Sequence, residues 1–315
     1  MSQQWIRKAS LLISLGAAQS NGQSQLLDLS ALQFRFQTQA STVYGLASIQ
    51  LRIFNPAYST IKSILEEGTQ IFLNAGYEGS FGQIFSGNII QVRAGRENAT
   101  DTYIDISATD GDVIYNQSFV NTTIAAGSNK TARLQNIAVA GNFDFTSKPI
   151  VIDDGAKLPR GRVYFGLARD HLRPLCSNLG ADWMITDGKV SVISQNAYAD
   201  SDTILLDYMT GMIGLPVQTL EGIAIKCLLN PAIRQAKKVH IDNAAVQQFQ
   251  ADLGFVGNAN NNLIPPLSED GDYRVLYCSH TGNTRGQEWY TDLIGMSGDQ
   301  ITRQTQLQYN YMSKY

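Results

Sequence analysis

The chain reads as mainly β with an α+β insertion, built from two like β units related by internal duplication, and three observations predict it. Apolar and polar residues alternate at period two in 32–39 (LQFRFQTQ), 46–54 (LASIQLRIF) and 102–109 (TYIDISAT), the pattern of half-buried strands. A strand runs straight into Asn-Pro-Ala twice, at Asn55-Pro56-Ala57 and at Asn230-Pro231-Ala232. Each copy continues with a connector, a strand (70–73; 237–241) and two longer strands (83–92 and 102–109; 273–279 and 288–294), so the order repeats as well as the letters.

Taken in order, 10–15 is a first strand, although Arg7-Lys8-Ala9 and the apolar run behind it superficially mimic a secretory signal. Asn21-Gly22 marks a turn before Leu26. After the strand at 46–54, Asn55 can cap a helix with Pro56 at its first position. Tyr58, Ile61, Ile64 and Leu65 share its apolar face, and Gly68 can end it. Residues 74–92, NAGYEGSFGQIFSGNIIQV, form a hairpin with Gly76, Gly79 and Gly82 in its reversal, and Ser86-Gly87 suggests a bulge or a close backbone approach.

From 113 to 198 the character changes. Residues 131–138 read as a short helix and 170–179 as a stronger one, despite Pro174, while Asp187-Gly188 between two apolar runs is a hairpin signal. The expected division is therefore 1–112 (first β-barrel), 113–198 (inserted α+β module), 199–297 (second β-barrel, itself interrupted by an insertion at 243–272 with a helix over 245–253) and a polar tail, 298–315.

At 315 residues the chain can bury more than one core, and no stretch is long and apolar enough to span a membrane. Its 24 basic and 27 acidic side chains, without long runs of either sign, argue against a nucleic-acid or membrane-surface protein. Charged residues make up only 16%, against about 25% ordinarily, and 14 tyrosines are present; interface cores share both traits, so a subunit of a large assembly fits. Cys176, Cys227 and Cys278 lie too far apart for a metal knuckle and read as reduced and buried.

Chemistry is thin. No GxSxG, HExxH or phosphate loop occurs, and no catalytic, cofactor-binding or metal-binding residue is assigned. His240 and Asp242 would share a strand face, with His280 on another strand of the same unit. These three are the sole support for an enzymatic alternative, a tail-borne cell-wall hydrolase. A peripheral receptor- or glycan-binding protein, using the many Tyr and Asn, is the other alternative.

Four segments carry a likeness: LLDLSALQFRF (26–36), 74–92 as quoted, GMIGLPVQTLEGIAIKCLLNPAIRQAKKVHID (211–242) and HTGNTRGQEWYTDLIG (280–295). Through them the chain resembles the baseplate hub proteins of long-tailed bacteriophages. The resemblance implies two tail-tube-like β-barrels and a non-enzymatic homotrimeric ring. Its three-times-two barrels would match a hexameric tail tube protein above and receive a central spike protein below, among surrounding baseplate proteins. It implies a place in the virion tail baseplate after synthesis in the host cytoplasm, with DNA passing only as non-specific cargo, and neither cofactor nor membrane anchor. The residues expected at contacts are Tyr77, Glu78, Phe81, Ile84 and Phe85 in the hairpin, Phe249, Leu253 and Phe255 in the insertion, and Tyr309 and Tyr311 in the tail.

Overall fold

A computed structural model describes residues 6–16, 25–42, 46–146, 155–199, 202–248 and 266–297. The first third contains β1 (Arg7–Leu15), β2 (Gln25–Asp28), β3 (Phe34–Ser41), β4 (Ser48–Phe54), α1 (Tyr58–Glu67), β5 (Gly68–Tyr77), β6 (Ser80–Arg96) and β7 (Thr102–Thr109). The middle holds α2 (Asp112–Gln117), β8 (Phe119–Ile124), α3 (Lys130–Gly141), β9 (Arg162–Leu167), α4 (Ala168–Ser177), β10 (Ala181–Thr186) and β11 (Lys189–Ser194). The last part adds β12 (Thr203–Leu205), β13 (Val217–Thr219), β14 (Gly222–Leu228), β15 (Lys238–His240), β16 (Asp272–Asn283) and β17 (Trp289–Met296).

The protein is mainly β, as expected. One 13-stranded sheet runs β13-β14-β17-β16-β3-β4-β7-β6-β5-β1-β2, with β15 on β16 and β12 on β15. All its pairings are antiparallel except β12 with β15. Within it, two sets of five strands are joined in the same order: β3-β4-β7-β6-β5 and β13-β14-β17-β16-β15. The irregularities agree too. The β6–β7 ladder slips at Ile90, two residues after its first pair, Asn88 with Thr109. The β16–β17 ladder slips at Leu276, two residues after its first pair, Arg274 with Met296.

The seam between the sets is an ordinary ladder, in which β3 runs against the second half of β16 from Ser41–Tyr277 to Arg35–Asn283. Trp289 ties the sheet across its own curvature: its Nε1–H donates to Gly76 O of β5 (3.2 Å), and its ring meets Phe36 of β3 edge-on at 5.6 Å. Arg7 of β1 donates to Gly286 O (2.7 Å) and Gln287 O (2.9 Å) in the β16–β17 turn. Strands far apart along the sheet thus meet, which the right-handed twist of strands allows.

Three large apolar clusters and a small one, formed by Met184, Ile193 and Ala236, fill the described residues. One joins Ile13 of β1 to Phe34, Leu51, Leu73 and Ile106 of the first set and takes in Leu229 and Trp289 from the last part of the chain. A second, with Val120, Ile137, Tyr164, Leu172 and Val192, belongs to the middle segment. The third gathers Ile225, Val239, Tyr273, Val275 and Leu293. All three cysteines are buried and unbonded, and burial pushes each thiol up to about 12. The middle segment is bound to the rest partly through Arg274, fully buried on β16, whose guanidinium donates to Gln195 O (2.6 Å) and lies 3.3 Å from Asp182.

Several local expectations change. Asn55 does not cap α1: the cap position is Ala57, without a side-chain bond, and Asn55 has φ 51. Its Oδ1 accepts from Thr102 N–H (2.9 Å) and its amide donates to Asp101 (3.0 Å), so it fixes the β6–β7 turn instead. Asn230 Oδ1 closes a tight turn by accepting from Ala232 N–H (3.0 Å). The helix expected over 245–253 is absent where residues are described. Asn243–Ala245 is one 3-10 turn, and Gln247 instead bridges Val217 in an extended backbone. The remainder of that stretch lies outside the described residues. Gly87 marks a close approach and not a bulge, since a β-carbon there would sit 2.5 Å from Thr109 O; the slips fall on either side, at Ile84 and Ile90.

Candidate functional site

The face of the sheet turned away from the apolar clusters is polar across both sets. Because side chains alternate, each ladder places polar residues opposite one another in rungs. One rung reads Arg93, Asp105, Arg52, Arg35, Asn283. The next reads Gln91, Ser107, Gln50, Gln37, Thr281, Tyr290, and a third Asn88, Thr109, Ser48, Gln39, Ser279, Asp292, Lys226. Directly behind them stand Phe34, Phe36, Ile49, Leu51, Ile53 and Ile104, all buried. The rungs border a recess of about 550 Å³ that spans the β3–β16 seam.

Several of its charges are paired in place. Asp105 receives a two-pronged bond from Arg52, 2.6 Å to Nε and 2.9 Å to Nη2, and lies 3.7 Å from Arg93. The bond to Asp105 raises the Arg52 guanidinium above its ordinary value, against a smaller opposing effect of burial. Lys226 lies 3.8 Å from Asp292, whose carboxyl is raised by burial and pulled back by that lysine. Tyrosines shield two cations: Tyr103 lies under Arg52 (4.1 Å) and Tyr290 under Lys226 (3.6 Å). Such a surface offers amides and hydroxyls beside its arginines.

A second constellation joins all three segments. Asp110, at the end of β7, accepts from the backbone N–H of Asp187 (2.6 Å) and Gly188 (2.8 Å) in the β10–β11 turn. Burial pushes its carboxyl up to about 6 despite those two bonds. Arg234 reaches Asp187 (2.6 Å) and the carbonyl of Gln83, while the Gln83 amide also donates to Asp187 (2.8 Å). The hairpin expected at an intermolecular contact therefore leans on its own chain, with Gly82 against the Pro231 ring.

Of the residues singled out there, Tyr77 and Phe85 are core side chains, Ile84 is half-buried, and Glu78 and Phe81 are exposed. Lys8 covers the Phe81 ring at 5.0 Å. Phe249, Leu253, Phe255, Tyr309 and Tyr311 lie outside the described residues. His240, Asp242 and His280 each have other business. His240 Nδ1 meets Asp272 (2.8 Å), Asp242 caps the 3-10 turn through Ala244 N–H (2.9 Å), and His280 is buried against Thr291 Oγ1 (2.8 Å). Among the described residues no group of three His, Cys, Asp or Glu could hold a metal ion. Sequence reasoning missed the rungs, although the polar half of each alternation (Arg35, Gln37, Gln39; Gln50, Arg52; Asp105, Ser107) was their signal.

No protein-family model and no curated protein matches the chain. Solved structures do. The fold is similar to a 43 kDa tail protein of prophage MuSo2 from Shewanella oneidensis, with TM-score 0.57 and 7% identity over 93% of this chain and 98% of that one. It is similar to a tail protein from Neisseria meningitidis, with TM-score 0.52 and 11% identity over 92% and 97%. A third similar structure is an E. coli component of the type VI secretion system, itself described as similar to the T4 bacteriophage tail proteins gp27 and gp5. There the TM-score is 0.51, with 10% identity over 84% and 73%. At such identities the likeness is one of fold.

Proposed function

We propose that this chain is a structural, non-enzymatic hub subunit of a phage-type tail baseplate, whose homotrimeric ring joins a hexameric tail tube to a central spike. The observation that carries it is the repeated pairing order, β3-β4-β7-β6-β5 and β13-β14-β17-β16-β15, with one polar face continuous across both sets. A chain with two like units can present six similar surfaces when three copies close around an axis, which a six-fold tube requires. Internal duplication of a tube-like barrel accounts for the shared slip positions at Ile90 and Leu276. The rungs would face the axial channel, where DNA passes as non-specific cargo.

Domain limits of 1–112, 113–198 and 199–297 are proposed; most of each large apolar cluster falls within one of them, while Leu229 and Trp289 join the first. The middle module stands apart from the rungs and is suited to meeting surrounding baseplate proteins. Glu78 and Phe81, with the insertion and the tail residues, are the proposed contacts to tube, spike or neighbours. The fold likeness to two tail proteins and a secretion component supports the same setting. The hydrolase alternative loses its one support, because His240, Asp242 and His280 are engaged separately.

Light scattering on the purified full chain tests the ring. The mass should rise with concentration to three times that of the 34.6 kDa chain and stop there. A persistent monomer, or growth without a plateau, contradicts the proposal.

A further inference from the structure

β6 outruns its neighbour. β5 pairs with it only as far as Asn88, so 89–96 has β7 on one side and no strand on the other among the described residues. Glu97 N–H donates to Asp101 O, and in an antiparallel ladder every second residue turns the same way, so Val92 and Ala94 turn their N–H and C=O groups to the open side. No described residue bonds to them there. Ile64, the buried residue of α1, packs into the core instead, and Ile90, Arg93 and Ala94 stay exposed. The same stretch of the second set is covered. Aligned on the slips at Ile90 and Leu276, Gln91 to Gly95 correspond to Tyr277 to Thr281, against which β3 lies, and there Cys278, Ser279 and His280 are buried.

We infer that residues 304–308 of a neighbouring copy lie on this edge as an added antiparallel strand, doing for β6 what β3 does for β16. The inference rests on the ring reading and names one of its contacts. The tail, 298–315, lies outside the described residues, and its sequence echoes that of β3: Gln-Thr-Gln occurs twice in the chain, at Gln37-Thr38-Gln39 and at Gln304-Thr305-Gln306. The alternation around it runs in the same phase. In β3, Gln37 and Gln39 stand in the polar rungs and Ala40 on the apolar side; in the tail, Gln304, Gln306 and Gln308 alternate with Thr305, Leu307 and Tyr309.

Carrying over the register of the β3–β16 seam sets Gln308 opposite Gln91, Leu307 opposite Val92 and Gln306 opposite Arg93. Leu307 then joins the apolar side, where Val92 is half-buried, and Gln306 prolongs the rung of Arg93, Asp105 and Arg52. Bare edges are templates for an added strand, and a contact between unlike parts of two copies is the head-to-tail kind that closes rings. The tail's own β6 is out of its reach. Arg93 shares a rung with Asn283, at the β16–β17 turn, whereas the tail departs from Met296 at the other end of β17, an eight-residue strand about 26 Å long. Five strands, β16, β3, β4, β7 and β6, also lie between across the sheet. The linking residues 298–303 extend to about 24 Å at most.

Arg93→Cys with Gln306→Cys tests the pairing, since these positions correspond to Ser279 and Gln39, which face each other across the seam. The native cysteines are buried and should not compete. Mild oxidation should link chains of the double variant covalently, up to three. A mixture of Arg93→Cys with tagged Gln306→Cys should give a dimer containing both, whereas Arg93→Cys mixed with tagged Leu307→Cys, on the opposite face, should not. Gln39→Cys with Ser279→Cys should form the link within one chain and serves as the geometric control. Trimers of the double variant that do not cross-link, with the control linked, overturn the pairing and leave the ring intact, and so does a link confined to single chains. A wild-type chain that never trimerises removes both. Ala94→Pro gives an independent reading, because the N–H it deletes is one on the open side. It should unfold at the wild-type temperature yet need about tenfold more protein to form trimers, and trimers formed at the wild-type concentration would contradict the pairing.

Discussion

His280 shows how much a single side chain can be repurposed from its first appearance. Its position among titratable neighbours suggests acid–base chemistry, yet burial, aided by nearby Arg234, drives its imidazole down to about 4 from an ordinary 6.5. The folded value is depressed, so the stability it contributes is present above pH 6.5 and is lost as pH falls toward 4. Asp110 works in the opposite sense. Its raised value of about 6 means stability that is complete below 3.8 and gone above about 6. The two oppose each other in one window, so the contribution of His280 must be read by difference. Urea unfolding of the wild type and of His280→Gln at pH 7 and pH 4.5 should show the wild type losing roughly 2 kcal/mol more. Equal losses would mean that the ring is not held neutral.

Among elements, the β5–β6 and β10–β11 hairpins use glycine for different reasons. Gly188 follows Asp187 with φ 74 and 53 respectively, and nothing stands within 4 Å of where its β-carbon would be. Gly87 is required by space: β7 passes so close that a β-carbon would press on Thr109 O and the Phe85 ring. Gly87→Ala should therefore cost the more, about 3 kcal/mol from overpacking against backbone and ring, and Gly188→Ala about 1 kcal/mol from backbone strain alone. Thermal melts distinguish them, and equal effects would contradict the assignment.

Legibility followed the same line. Asp187-Gly188 was readable because a two-residue turn is specified by its own letters, and the period-two runs gave β3, β4 and β7 because one face is buried. Asn55 was misread as a cap because its partner, Thr102, is 47 residues away. The helix over 245–253 fails at 246–248, where the extended backbone is recruited by β13 through Gln247. Local propensity does not contain such a pairing. The rungs were half legible: the alternation displayed their polar residues, but only strand order reveals that Arg93, Asp105, Arg52 and Arg35 stand in one line.

At the scale of the whole molecule, one sheet carries two sets of strands with the same order, and the middle segment is fastened to both through Asp110, Asp187 and Arg234. That construction presents one polar face across both sets, the face that the proposed symmetry adaptor would turn to its channel. The most direct test is to average images of tail particles viewed down their axis, with this chain marked by an added density. Three marks in a closed ring on the axis, between tube and spike, are expected. Any other copy number, or marks at the periphery, would contradict the hub assignment.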